Sequence, residues 1–439
     1  MFDTLPALTK EKAFDILFSP IEKLNLASDY YKAVTNLLRY PGEDTENILI
    51  YLLENKSQDQ SIRIAKRKAL DVLGRLGSKK SIPIIAKFLK DKDKYLVENA
   101  SWALKQLDCQ DFEVHKLLIN LLEDTSQNRR VIIQTLADLF VIKSLPNIMK
   151  IVNNSSASNG EYGAAIAAVT ILTKKKFRFN DLETLLLSSN QNDRQSAIQD
   201  IIDAGAVDLL IPIAKTPVSP FFRLRAIDKL CCFENDKYKE IGVLQMIDNL
   251  IKDDPNEINL FNFYDEEKDL DGLMDELFHT DFFRSYLALK NICHFKAFEI
   301  WEKLYIQIPR FEKDYGALYF LFQLFLLVPN WPEQAKPQIV QIAKDAINSS
   351  WPEFIKFRPV AILALIKYHY VESILYIEKY CDANKTTYWV SRYACLIGLD
   401  LYTPIDFKIK YLDKIEKMKL DCNRFVALKA EEIINSNLQ

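Results

Sequence analysis

The chain has 439 residues, 49% hydrophobic and 12% aromatic, with a net charge of −3 and only ten glycines. Average usage is roughly 7% glycine, so the shortage argues against a β-rich fold with tight hairpins. No two glycines are two or five positions apart, so both G-x-G-x-x-G and G-x-x-x-x-G-K are excluded, and the near-neutral charge gives no pull toward nucleic acid or an anionic membrane.

At the start, MFDTLPALTKEKAF lacks the basic-then-apolar plan of a secretory signal. Four segments then share one pattern: Ala33, Leu37 and Tyr40; Ala69, Leu73 and Leu76; Ala100, Leu104 and Leu107; Ile132, Leu136 and Leu139. Offsets of 0, 4 and 7 mark one face of a helix, with a small residue where a neighbouring helix approaches closely. Second apolar segments follow at residues 82–89, 114–122, 145–152 and 209–214. Pro83, Pro146 and Pro212 stand near the starts of three of them, where a missing N–H costs nothing. Asp and Asn clusters punctuate the units. Further first helices are expected at residues 194–204, 222–233, 282–295, 315–328, 359–370 and 389–401, with a closing amphipathic helix at 423–436.

These elements predict an all-α fold, an α/α solenoid of about ten HEAT-like helix pairs wound into a curved superhelix. Three blocks are expected: repeats over 1–252, an acidic insertion over 253–278, and irregular repeats with a cap over 279–439. Residues 253–276 hold ten acidic residues and one lysine around Phe261, Phe263 and Tyr264. That composition suits either a solvated link or a flap over the concave face. Residues 317–328 are apolar but short and contain Gln323, which reads as buried helix and not a membrane span. The seven cysteines contain no C-x-x-C pair and, with four scattered histidines, form no zinc or disulfide pattern, as expected of a cytoplasmic protein. Trp102, Trp301, Trp331, Trp351 and Trp389 read as wedges between repeats.

Three passages carry a more specific likeness: SDYYKAVTNLLRYPG (28–42), RIAKRKALDVLGRLGSKKSIPIIAKFL (63–89) and YLVENASWALKQL (95–107). They resemble the phycobilin lyases of the E/F clan, HEAT-like cyanobacterial proteins that attach linear tetrapyrroles to phycobiliproteins. The resemblance is strongest over residues 26–125, and the chain length resembles the phycoerythrin-directed branch. It implies attachment of phycoerythrobilin to a cysteine of a phycoerythrin α subunit, with isomerisation to phycourobilin in some relatives. Isomerising members of the two-subunit branch carry an Asn-His-Cys motif. Asn291-Ile292-Cys293-His294 departs from it and supports no isomerase activity. Composition and spacing alone reach only a non-catalytic HEAT-like adaptor or bilin carrier.

The chemistry implied by the resemblance is addition of a substrate cysteine to the ethylidene group on ring A. Such an enzyme needs no nucleophile, metal or cofactor of its own, because the bilin is the substrate. It needs a carboxylate near the pyrrole N–H groups, cations for the propionates, and aromatic side chains against the rings. The catalytic candidates are Asp314 with Tyr315, Tyr264 with Asp265, and Cys293 with His294 as a proton-shuttling pair. The binding candidates are Arg284, Tyr286 and Tyr319, together with Tyr30 and Tyr31 in the family-like opening motif. Arg63 and Arg67, beside Lys66 and Lys68, form a basic patch suited to an acidic phycobiliprotein surface. Each has a plainer alternative: Asp314 as a helix cap, the tyrosines as core, and the basic run as a solvated face. Partners are then a bilin and its apoprotein, with no nucleic acid and no membrane insertion.

Overall fold

The computed structural model describes residues 7–231, 242–261, 268–349 and 351–437. Among these residues every regular element is a helix, and there is no strand. The aspartates of the turns do the work that glycine does elsewhere. Asp59 accepts from the N–H of Ser61 at 2.7 Å, Asp93 from Tyr95 at 3.0 Å and Asp111 from Glu113 at 2.8 Å, each opening a helix. Ser158 and Glu161 form a reciprocal capping box at the head of helix Asn159–Thr173. Pro83 and Pro146 lie in the first turn of their helices, as expected.

The described residues fall into two compact units. One runs to Leu185 and includes Gln199–Ala206; the other holds Leu186–Ile198 and the residues from Val207 onward. The boundary between units is therefore earlier than residue 252, and the acidic segment belongs to the second unit.

In the first unit, helices Asp29–Leu37, Gln60–Leu76, Lys94–Gln106, Arg129–Asp138 and Asn159–Thr173 stack successively. Their 0, 4, 7 faces form the core: Ala69, Leu73, Ala100 and Leu104 are wholly buried. Gly74, outside that pattern, has a steric reason of its own: an added Cβ would lie 3.1 Å from the Cα of Ala103. Gly77 ends the same helix at φ 71°, a left-handed conformation that disfavours other residues.

Arginines link one helix to another in both units. Arg67 donates to Asp93 at 2.7 Å and Arg129 to Glu161 at 2.7 and 2.9 Å; Arg194 pairs with Asp281, and Arg392 with Asp421 at 2.7 and 2.6 Å. Asp93 and Asp281 cap the starts of their helices, Glu161 lies in the first turn of Asn159–Thr173, and Asp421 lies shortly before Arg424–Asn437. The arrangement fixes the register of neighbouring repeats, and breaking one partner strands a charge with little water around it.

In the second unit, helices Phe282–Ile292, Tyr315–Leu327, Arg358–His369, Trp389–Tyr402 and Arg424–Asn437 stack in turn. Helix Val243–Lys252 packs against Pro220–Leu230, Arg358–His369 and Arg424–Asn437. Its Asp248 accepts from Tyr393 Oη and Lys429 Nζ, both at 2.8 Å. The described ends of the acidic segment are packed, and residues 262–267, with the aromatics of the flap reading at 263 and 264, lie outside the described residues. The segment's first and last acids, Asp253 and Glu276, are 2% and 6% exposed. Between them, Asn259 N–H donates to the carbonyl of Lys215 at 2.8 Å, and helix Leu270–Glu276 packs on Phe282–Ile292.

Candidate functional site

The second unit contains a groove of about 810 Å³, within the roughly 300–1,000 Å³ usual for sites holding small molecules. Its position follows from three helix ends. Asp314 caps helix Tyr315–Leu327, accepting from the N–H groups of Gly316 and Ala317 at 2.9 and 3.0 Å, and this sets Tyr315 at the mouth. Helix Ala335–Asn348 stops at Ser349. Trp351 then starts a short 3₁₀ turn, Pro352–Lys356, that closes the far side.

The floor is apolar: Leu318, Ile342 and Ala346 are all buried. The wall is aromatic. Tyr315 meets Phe354 edge-on at 5.3 Å and Phe357 in a stacked arrangement at 6.4 Å. Trp351 is 60% exposed and Tyr315 37%, so both ring systems are open to a ligand. The rim is polar, with Lys313, Glu312, Asp345 and Asn348. Flat aromatic walls with both a cation and a carboxylate at the edge suit a planar molecule carrying acidic side groups and N–H donors. Among the described residues, no cluster of His, Cys, Asp and Glu is set to hold a metal, and no helix is long and apolar enough to cross a membrane.

A second polar cluster lies one turn along the same helix; it is buried, and its Arg223 and Asp253 border a smaller cavity of about 210 Å³. Arg223 Nη2 donates to Asp253 at 2.9 and 3.1 Å, and the hydroxyls of Tyr286 and Tyr319 both donate to Asp253 Oδ2. Gln323 Nε2 reaches Tyr319 Oη at 2.8 Å. Arg223, Tyr286 and Gln323 are wholly buried and Tyr319 is 5% exposed. Burial, then the neighbouring Asp253 carboxylate, pushes the Tyr319 phenol well above its ordinary range; burial does the same to Tyr286. Burial opposes the charge on Arg223, but Asp253 and the tyrosines outweigh it.

The structure thus separates residues that the sequence analysis grouped. Of the described candidates, it brings Tyr315 alone into the groove. Asp314 is engaged as a cap, and Tyr286 and Tyr319 are locked around Asp253. Arg284 forks onto Glu276, with Nε to Oε2 at 2.7 Å, and meets His279 Nε2 at 3.0 Å. Cys293 caps helix Phe282–Ile292, and burial, aided by Asp254, pushes its thiol up to about 11; its neighbour His294 is exposed. Tyr264 and Asp265 lie outside the described residues.

The remaining candidates belong to the first unit. Tyr30 is buried and donates to the carbonyl of Ser19 at 2.5 Å, while Tyr31 is 38% exposed. Arg63 and Arg67 both grip Asp93, at 2.9 and 2.7 Å, and Arg67 lies over the ring of Tyr95 at 4.6 Å. Within the basic run the two arginines thus share one carboxylate of the next helix, Lys68 pairs with Asp71 on its own helix, and Lys66 donates to the carbonyl of Asn55. Sequence reasoning missed Lys313, Asp345 and Phe354, and read Trp351 as an inter-repeat wedge. Trp301 and Trp331 do pack as wedges, 6.1 Å apart and 5% and 3% exposed. A tryptophan three residues past a helix end and followed by proline was the available signal for Trp351.

Fold and groove together define a HEAT-repeat α-solenoid with a ligand-sized aromatic cleft. The family of HEAT repeats matches residues 47–137. Bilin biosynthesis protein CpeY of Synechococcus sp. (strain WH8020) is 34% identical over 411 residues, covering 93% of this chain and 98% of that protein. The uncharacterized phycocyanin operon protein Y of Pseudanabaena tenuis (strain PCC 7409) is 30% identical over 398 residues, covering 90% and 92%. Among solved structures, the complex of CpcE and CpcF of phycocyanin lyase from Nostoc sp. PCC7120 is similar at 25% identity and a TM-score of 0.47, over 56% of this chain and 96% of that one. The chain belongs to the E/F clan of phycobilin lyases.

Proposed function

We propose that this chain is a bilin lyase that attaches phycoerythrobilin to a cysteine of a phycoerythrin α subunit. The observation that carries the reading is the near full-length likeness to a bilin biosynthesis protein. The groove supplies a place for the reaction. Tyr315, Trp351 and Phe354 flank the pyrrole rings, Lys313 meets a propionate, and Asp345 faces the pyrrole N–H groups. The thiol of the acceptor cysteine adds across the ring A ethylidene, forming one C–S bond and placing its proton on the adjacent ring carbon. The chain's contribution is to hold a flexible tetrapyrrole in one orientation, which is worth several kcal/mol of barrier. Isomerisation to phycourobilin is a further step that the same assay reads from product colour.

The test is co-expression with the apo-α subunit and a phycoerythrobilin supply, followed by denaturing electrophoresis in acid. A covalent pigment on the subunit, lost when this chain is omitted, is the expected result. A pigment that co-purifies with this chain but never becomes covalent would establish the alternative, a HEAT-like bilin carrier or adaptor, and overturn the lyase reading. An absorption band blue-shifted from that of attached phycoerythrobilin would add isomerase activity.

A further inference from the structure

Cysteines 109, 293, 381, 395 and 422 are free thiols, and two of them touch. Cys381 caps the C-terminus of helix Ile374–Tyr380, Cys395 lies in the middle of helix Trp389–Tyr402, and their sulfurs are 3.7 Å apart. Cys395 is 0% exposed and Cys381 is half-buried. Neither takes part in the groove. A disulfide requires the sulfurs to approach to about 2.05 Å, so the gap to be closed is under about 2 Å.

We propose that Cys381 and Cys395 are a peroxide-oxidisable thiol pair that closes into a disulfide. The half-buried Cys381 is the sulfur that an oxidant meets first. Its hydrogen bond with Cys381, together with burial, raises the Cys395 thiol well above its ordinary range, so Cys381 and not Cys395 is the one that reacts first as a thiolate. In the first step the Cys381 thiolate attacks a peroxide oxygen. The O–O bond breaks, giving a sulfenic acid and one water. In the second, Cys395 sulfur attacks the sulfenic sulfur; the S–S bond forms, the S–O bond breaks, and the departing hydroxide takes the Cys395 proton as a second water. Two thiols and one hydrogen peroxide become one disulfide and two waters.

The bond would tie helix Ile374–Tyr380 to Trp389–Tyr402 and enclose residues 382–394. That loop contains Arg392, which pairs with Asp421, and Tyr393, which holds Asp248 of helix Val243–Lys252. Oxidation therefore stiffens a segment on which the interior of the second unit is fastened.

The full-length protein is treated with hydrogen peroxide, blocked with N-ethylmaleimide in urea, digested without reductant and analysed by mass spectrometry. A peptide pair linked through Cys381 and Cys395, two fewer blocked thiols of the seven in the sequence, reversal by dithiothreitol and a raised Tm are expected. Cys395→Ser should trap the sulfenic acid at Cys381 as a dimedone adduct. Should that variant not fold, Cys381→Ser should show no internal linkage at the same peroxide dose. Full blocking of both cysteines after peroxide, in protein with an unchanged melt, overturns the proposal. Linkage of either cysteine to a different partner overturns it as well.

Discussion

Tyr315 and Tyr319 are one turn apart on one helix, yet they face opposite surroundings. Tyr319 donates a hydrogen bond to a buried carboxylate that also accepts from Arg223 and Tyr286, and its own oxygen accepts from Gln323. Tyr315 stands on an open aromatic wall, touching Phe354 and Phe357 and free to meet a ligand. Residue type does not separate the two. A closed shell turns a tyrosine–carboxylate pair into a structural clamp, whereas an open wall leaves the same side chain available for recognition.

This contrast is broken most severely at Asp253. Replacing it with alanine leaves Arg223 buried without its counter-charge, and a loss of about 3–5 kcal/mol is expected, read from urea denaturation. A loss below about 1 kcal/mol would mean that the cluster is not what fastens these helices. Next comes Cys293, on the closed side beside Asp254. With its thiol pushed up to about 11, alkylation of the folded protein at pH 8 should run about a hundredfold slower than for an ordinary thiol, because only the thiolate reacts. The folded state keeps that proton while the unfolded chain loses it near pH 9, the ordinary value. The associated stability is thus full below pH 9 and is lost as pH rises through about 11. A serine at position 293 should remove that alkaline slope. Tyr319→Phe is milder, deleting one donor to Asp253 and one acceptor from Gln323, at about 1–3 kcal/mol.

The helices and their starts were legible in the sequence because they depend on local chemistry. Ala69, Leu73 and Leu76 announced a packed face, and Asp59, Asp93 and Asp111 stood where caps are needed. The clamp was not legible, because Asp253 is one of ten acids in a run and its partners lie 30, 33 and 66 residues away. A signal existed in that spacing: Tyr286 and Tyr319 follow Asp253 at successive intervals of one repeat. The groove was half legible. Tyr315 stood out as an aromatic beside a carboxylate, but Asp345 and Trp351 reach it from a helix end and a 3₁₀ turn that no periodic pattern marks.

On the open side the smallest energetic effect carries the most meaning. Trp351 is mostly exposed, so Trp351→Ala should change stability by no more than about 0.5 kcal/mol. The direct measurement is a phycoerythrobilin titration, followed by absorbance, of the wild type, Trp351→Ala and Tyr319→Phe. Trp351→Ala should bind about tenfold more weakly, about 1.4 kcal/mol, while Tyr319→Phe binds like the wild type. Unchanged affinity in Trp351→Ala, or an equal loss in Tyr319→Phe, would contradict the assignment of recognition to the groove and of clamping to Asp253.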